Sequence, residues 1–214
     1  MSNYNRSTLH MDITIDDTNK TILVKQKWKY NWMLSTNSSP WTYLEKKAFH
    51  HKADSLIWSI WGGQLKVNTR GTSAFAKANT RQSYSINFDL EWVLSNEHWN
   101  VNVTKIPIGS FASSNVSWNS RIINLDTEDI LSRKVRTVGT VDYFQHPVAH
   151  EFGHAVGNSI FANTGMHGDE YKSSSTFFAD KASIMNWGDS IRDRHIDYLL
   201  SELNLIIPNT TFHI

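Results

Sequence analysis

Apolar and polar residues alternate with a period of two over residues 11–15 and 20–30, which predicts two strands joined by a polar turn at 16–19. The spacing then changes. From Trp41 through Leu44, Ala48, Leu56, Ile57, Ile60 and Trp61 the apolar positions fall mostly at helical intervals, with Ser39 as N-cap before Pro40 and Gly62-Gly63 as the stop. Strand patterns return at 64–68, 83–92, 99–106 and 121–125, while the Ser- and Asn-rich stretch 107–120 reads as loop. The run 121–125 fits either an exposed sheet edge able to pair with an extended peptide or an internal strand. Pro147 opens another helix that Gly157 is placed to end, and a last helix is expected over about 190–204.

This order predicts an α+β fold, a twisted mixed sheet backed by helices. The 214 residues suffice for one domain, with residues 1–145 as the sheet and backing-helix part and 146–214 as a second helical part. The formal net charge of +1 and scattered basic residues give no prior for nucleic acid. No transmembrane run and no signal-peptide core is present, so membrane insertion is not expected. There is no Cys, so any metal must be held by nitrogen and oxygen ligands.

The candidate chemistry lies in the helix after Pro147. His150-Glu151-Phe152-Gly153-His154 is an HExxH sequence. Residues i and i+4 share a helical face, so His150 and His154 can hold one metal ion with Glu151 beside it. Neutral imidazole is a common zinc ligand, and a catalytic zinc takes three protein ligands and leaves a position for water. The expected cofactor is one zinc ion per chain. Glu151 is the candidate general base toward the water and then general acid toward the leaving amine.

The stretch 149–158 resembles the metzincin clan of zinc metallopeptidases, which continues HExxHxxG and has a Met-turn beneath the metal. Gly157 and Ser183-Ile184-Met185-Asn186 match those two elements. The resemblance implies a metzincin-like fold: a twisted mixed sheet with a backing helix, the HExxH helix, a Met-turn at Met185 and a C-terminal helix. The clan's third ligand would fall at Ile160, which cannot bind metal. Asp169-Glu170-Tyr171 is similar to a segment of some bacterial relatives, displaced here by an insertion at 159–168. The candidate third ligands are His167, Asp169 and Glu170. His167 is favoured by zinc chemistry, and Glu170 is the choice the resemblance implies. Trp187 stands where some metzincins carry an oxyanion-stabilising Tyr, a role for which Tyr171 is a candidate. His195 is expected to be a satisfied core histidine or a support to the ligands, with a direct role at the site as the alternative, and His50 and His51 to be solvated.

The stretch from Ser183-Ile184-Met185-Asn186-Trp187-Gly188 to Arg192-Asp193-Arg194-His195 also resembles metallopeptidase domains attached to type VI secretion spike proteins and other bacterial toxins, a resemblance that covers roughly residues 134–205. That implies a zinc endopeptidase acting on peptide or protein substrates as an antibacterial effector. It would be cytoplasmic before export, secreted or delivered to a target cell's periplasm without a recognisable signal peptide, and partnered by a secretion apparatus or an immunity protein. The alternatives are an inactive zinc-binding pseudo-peptidase acting as an interaction module, and another type of zinc hydrolase using a downstream Glu, for which Glu202 is the late helical candidate.

Overall fold

The computed structural model describes residues 3–162 and 168–214. It is an α+β protein with a nine-stranded, mixed, twisted sheet and four α-helices. The first three strands are β1 (Asn3–Ser7), β2 (Asp12–Asp16) and β3 (Thr21–Leu34). β3 is the sheet's spine. Its residues 21–28 pair in parallel with β5 (Ser83–Trp92). Its other edge takes β2 antiparallel at 21–25 and then β6 (Trp99–Lys105) parallel at 28–34. The expected strands are therefore present, but β3 runs four residues beyond Tyr30, because Asn31–Leu34 find partners on β6.

Alternation along β3 sends Ile22, Val24, Gln26, Trp28 and Tyr30 to the buried side of the sheet. The backing helix α1 (Tyr43–Trp61) packs there through Phe49, Ala53, Leu56, Ile57 and Trp61. Ser39-Pro40 does not start it. Thr42 is the N-cap, because its hydroxyl takes the Glu45 N–H while the Glu45 carboxylate takes the Thr42 N–H, a reciprocal box that Ser39 cannot form. His50 is not solvated as expected: it lies partly buried with Nδ1 3.0 Å from the Tyr30 hydroxyl, while His51 is exposed.

β4 (Lys66–Gly71) joins β5 antiparallel, and the short helix α2 (Ala74–Ala78) follows it. On the opposite side β6 pairs in parallel with β8 (Ile122–Asp126), and β8 is covered by β7 (Asn115–Ser117), an antiparallel edge strand inside the stretch expected to be loop. The run 121–125 is thus internal, and the edge belongs to β7. Three residues make a weak strand, but a row of asparagine amides fixes its register. Asn31 donates to Asn102 (3.0 Å), Asn102 to Asn124 (2.8 Å) and Asn124 to Asn115 (2.9 Å), crossing four adjacent strands on the solvent side.

A two-stranded hairpin, β9 (Arg133–Val138) with β10 (Val141–Gln145), precedes helix α3 (Pro147–Ala155). The expected last helix starts late: a 3₁₀ turn at Asp193–Ile196 leads into α4 (Asp197–Leu203). The chain then returns to the sheet, where β11 (Thr210–His213) closes the far edge against β4. Among the described residues no helix is long and apolar enough to cross a membrane.

The turn after β8 ties the sheet to α3. Asp129 is buried, its Oδ2 accepts from Ser114 Oγ (2.5 Å) and the Asp126 N–H (2.8 Å), and its carbonyl accepts from the Val148 N–H (3.1 Å). Burial pushes the Asp129 carboxyl up from 3.8 to about 7, against the opposing pull of those hydrogen bonds. A raised acid binds its proton more tightly folded than unfolded, so stability is lost as pH rises from about 4 to about 7 and is level above that. Asp129→Asn keeps the acceptor oxygen and removes the charge. It is expected to flatten this dependence, gaining on the wild type by up to about 4 kcal/mol between pH 4 and 8 at about 1.4 kcal/mol per unit. Urea midpoints across that range check it, and parallel curves for the two proteins would contradict it.

Candidate metal centre

Helix α3 is held from both ends and below. At its start Pro147 occupies the first turn, and His146, the N-cap, gives its N–H to Asp189 Oδ1 (3.1 Å) with Nδ1 2.9 Å from Asp189 Oδ2. In its middle the Ala149 carbonyl accepts from Trp61 Nε1 of α1 (3.0 Å), and Phe152 packs edge-on against Trp61 and Phe88. At its end the Ala155 carbonyl, left over by the helix, accepts from Gln26 Nε2 of β3 (2.8 Å). Gly157 follows with φ +116, and a Cβ there would collide with Tyr198. The chain therefore turns at Gly157, as its position predicts.

The turn around Met185 lies under this helix. Met185 is fully buried, and a Cβ on Gly153 would collide with its sulfur, so the glycine between the two histidines is what admits the methionine. Gln145 fastens the turn by donating to the carbonyls of Ile184 (2.7 Å) and Gly188 (2.8 Å). The Ile184 carbonyl also lies 2.7 Å from His150 Nδ1, and the Asn158 carbonyl lies 2.6 Å from His154 Nδ1. A carbonyl can only accept, so Nδ1 carries the proton in both rings, and in the neutral imidazole each Nε2 is left with a lone pair.

Both Nε2 atoms converge on Asp169 Oδ1, at 3.7 Å from His150 and 3.1 Å from His154. Two imidazoles and a carboxylate so close need a positive charge among them, supplied by protons on Nε2 or by a metal ion bound in their place. The three ligand atoms fall within 4.8 Å of one another. Two of the separations bracket the edge of about 3.3 Å for a tetrahedron with bonds of about 2.0–2.1 Å, the lengths of zinc to nitrogen and carboxylate oxygen. His150, His154 and Asp169 therefore fit a metal ion, and among the described residues they are the group that does. Burial alone would raise the Asp169 carboxyl, but hydrogen bonds to the two imidazoles and their charge hold it far below the usual carboxylate range. Burial acts to lower His154, and the neighbouring Asp169 and Glu151 carboxylates outweigh it and raise it.

The structure assigns the expected site residues unevenly. His150, Glu151 and His154 line one cleft, the two histidines on one helical face, with Met185 packed against Gly153 between them. Glu170, chosen as third ligand by resemblance, turns away from the histidines. Its fully buried carboxylate is gripped by Arg194 through Nε (2.7 Å) and a terminal nitrogen (2.8 Å). Asp169, one residue earlier, takes the place beside the imidazoles. His167 lies outside the described residues. Tyr171 stacks on His150 with ring centroids 6.3 Å apart, and burial together with the Asp169 carboxylate raises its phenol. His195 is buried in the 3₁₀ turn and reaches Ser183 Oγ (3.1 Å) and Glu170 (3.4 Å), in keeping with a supporting role. Glu202 is taken by Arg6 of β1 (2.5 Å).

Glu151 is nine-tenths buried, and its Oε2 has no hydrogen-bond partner among the described residues. Burial raises its carboxyl, with the two imidazoles pulling the other way. It lines an open cleft with His150, His154, Asp169 and Tyr171, and the opposite wall includes Val116 of β7. Sequence reasoning missed this wall because β7 is a three-residue strand in a Ser- and Asn-rich segment. The alternation of Asn115, Val116 and Ser117 was its one signal.

No known protein-family model, curated protein or solved structure matches the chain.

Proposed function

We propose that the protein is a zinc-dependent peptidase of metzincin-like build. The observation that carries this reading is the convergence of His150 Nε2, His154 Nε2 and the Asp169 carboxylate on one point, with a Glu151 oxygen that has no partner among the described residues in the same cleft. Zinc, when bound, supplies a Lewis acid that polarises the scissile carbonyl and makes a water acidic enough to lose a proton near neutral pH. Everything else falls to groups of this chain. The Ile184 and Asn158 carbonyls fix the tautomer and angle of His150 and His154. Glu151 accepts the proton of the attacking water and delivers it to the leaving amine, a task suited to a carboxyl whose burial has brought it closer to neutral pH. We assign Tyr171, whose phenol stays protonated beside the site, to donate to the developing oxyanion. The free edge of β7 gives an extended peptide a strand to pair with along the cleft.

Three protein ligands among the described residues, rather than four, favour an open catalytic site over an inactive zinc module. The engagement of Glu202 by Arg6 speaks against a hydrolase that uses it as a ligand. The test is metal analysis of protein purified without added metal, followed by hydrolysis of an unfolded protein such as casein. About one zinc per chain is expected, with hydrolysis lost to a chelator and restored by zinc. A chain that takes up no zinc on titration would overturn the assignment.

A further inference from the structure

Asp169 sits in a stretch without regular secondary structure, yet a metal ligand must be held within a fraction of an ångström. Its own side chain meets the two imidazoles, the Tyr171 phenol and, through Oδ2, the exposed Lys172 (3.2 Å), none of which fixes the backbone that carries it. The restraint comes from its neighbour. The Glu170 N–H donates to the Met185 carbonyl (2.8 Å), tying the segment to the turn beneath the site. The Glu170 carboxylate enters the interior and meets Arg194 in a two-bond fork. Arg194 also donates to Asp180 Oδ2 (2.8 Å) and lies over the Phe177 ring (4.2 Å to the centroid). Asp180 in turn takes both Arg192 Nε (2.8 Å) and its terminal nitrogen (2.9 Å). His195, between the two arginines and the turn, reaches Glu170 and Ser183, whose Oγ accepts the Met185 N–H (3.2 Å).

An ion pair with one partner fully buried and the other largely so is a poor way to stabilise a fold, since desolvating the charges costs about what their attraction returns. What a bidentate pair supplies is direction: a planar fork fixes the carboxylate in angle as well as in distance. We propose that Glu170 and Arg194 are a positioning pair. They orient the 169–170 segment so that Asp169 Oδ1 meets the two imidazoles, and thereby set the metal affinity of the centre. Glu170 acts on the metal without touching it. This inference rests on the three-ligand reading above.

The test compares wild type, Glu170→Gln, Arg194→Lys, Asp169→Ala and the double variant Asp169→Ala/Glu170→Gln. Zinc affinity is read by competition with a chromophoric chelator, coordination by the visible spectrum of the Co²⁺-loaded protein, and fold by circular dichroism. Glu170→Gln and Arg194→Lys are each expected to weaken zinc by about 10–100-fold, as for other groups that orient a ligand, and to alter the Co²⁺ bands while the fold persists. In the Asp169→Ala background Glu170→Gln is expected to weaken zinc no further, because the residue it positions is gone. Wild-type affinity and spectrum in both single variants would overturn the pairing, as would an equal further loss in the double variant, which marks a general loosening. If either single variant fails to fold, the other carries the same expectation. Failure of the wild type to bind zinc or Co²⁺ would instead overturn the metal reading itself.

Discussion

Replacing Glu151 by Gln is expected to leave the fold and the bound zinc in place while peptide hydrolysis falls by about 10³-fold, within the range ascribed to a positioned acid or base. The two carboxamide polar atoms occupy nearly the volume of the carboxylate, so Phe152 and Gly153, the next two residues, keep their packing against Trp61 and Met185. What is lost is the ability to take a proton. Stability should not fall with activity. Glu151 Oε2 is buried with no partner among the described residues, and a charge in that position is a burden on the fold. A neutral side chain relieves it, so the variant should melt at the wild-type temperature or above. Hydrolysis of a peptide at matched zinc content, alongside a thermal melt, separates the two effects. Wild-type turnover in the zinc-loaded variant would remove Glu151 from the chemistry. Lost turnover together with lost zinc would make it a support of the metal centre instead.

The parts of this centre that were legible in the sequence are those in which one short stretch determines the geometry. The i, i+4 spacing of His150 and His154 is a property of a single helix, and the room left by Gly153 and Gly157 is a property of single residues. Met185 was placed by its resemblance to a known turn, and the structure seats it against Gly153. The sheet's buried strands were equally plain, because alternation between core and solvent fixes both the strand and its facing. The edges were not. β1 and β7 are short and polar, and β9 and β10 are exposed on most of their residues, so no core-facing period marks them. β11 exists because β4 offers it an edge, a long-range fact that no local pattern carries.

The third ligand failed for a related reason. Asp169 and Glu170 are adjacent carboxylates, and the spacing from His154 cannot say which faces the imidazoles once the turn has been lengthened. The deciding information lies more than twenty residues away, in Arg194, whose guanidinium takes Glu170 from the contest. The sequence did hold a trace of it. Arg192 and Arg194 lie on either side of Asp193 in a segment expected to pack against the core, and cations there need buried acidic partners. Asp180 and Glu170 supply them.

Asp169→Asn is accordingly expected to cost more zinc affinity than any change that leaves the three ligand atoms intact, exceeding the about 100-fold upper end for groups that only orient a ligand. The amide fits the same space but removes the anion on which both Nε2 lone pairs converge, leaving two neutral imidazoles and a weak neutral oxygen to hold a dication. Burial sharpens the loss, because water screens the missing charge poorly at a partly buried site. In the metal-free protein the same substitution takes away a carboxylate that raises His154, so the histidine should titrate at a lower pH in the variant, an effect that NMR of the ring can follow without any metal. Chelator competition on Asp169→Asn, Glu170→Gln and His167→Ala then orders the candidates: Asp169→Asn strips the site, Glu170→Gln weakens it, and His167→Ala leaves it as it was. Retention of zinc by Asp169→Asn with loss from His167→Ala would transfer the third position to the histidine. The fall in the His154 titration would still report that Asp169 lies against it, so the position of the carboxylate and its role as a ligand are tested by separate measurements.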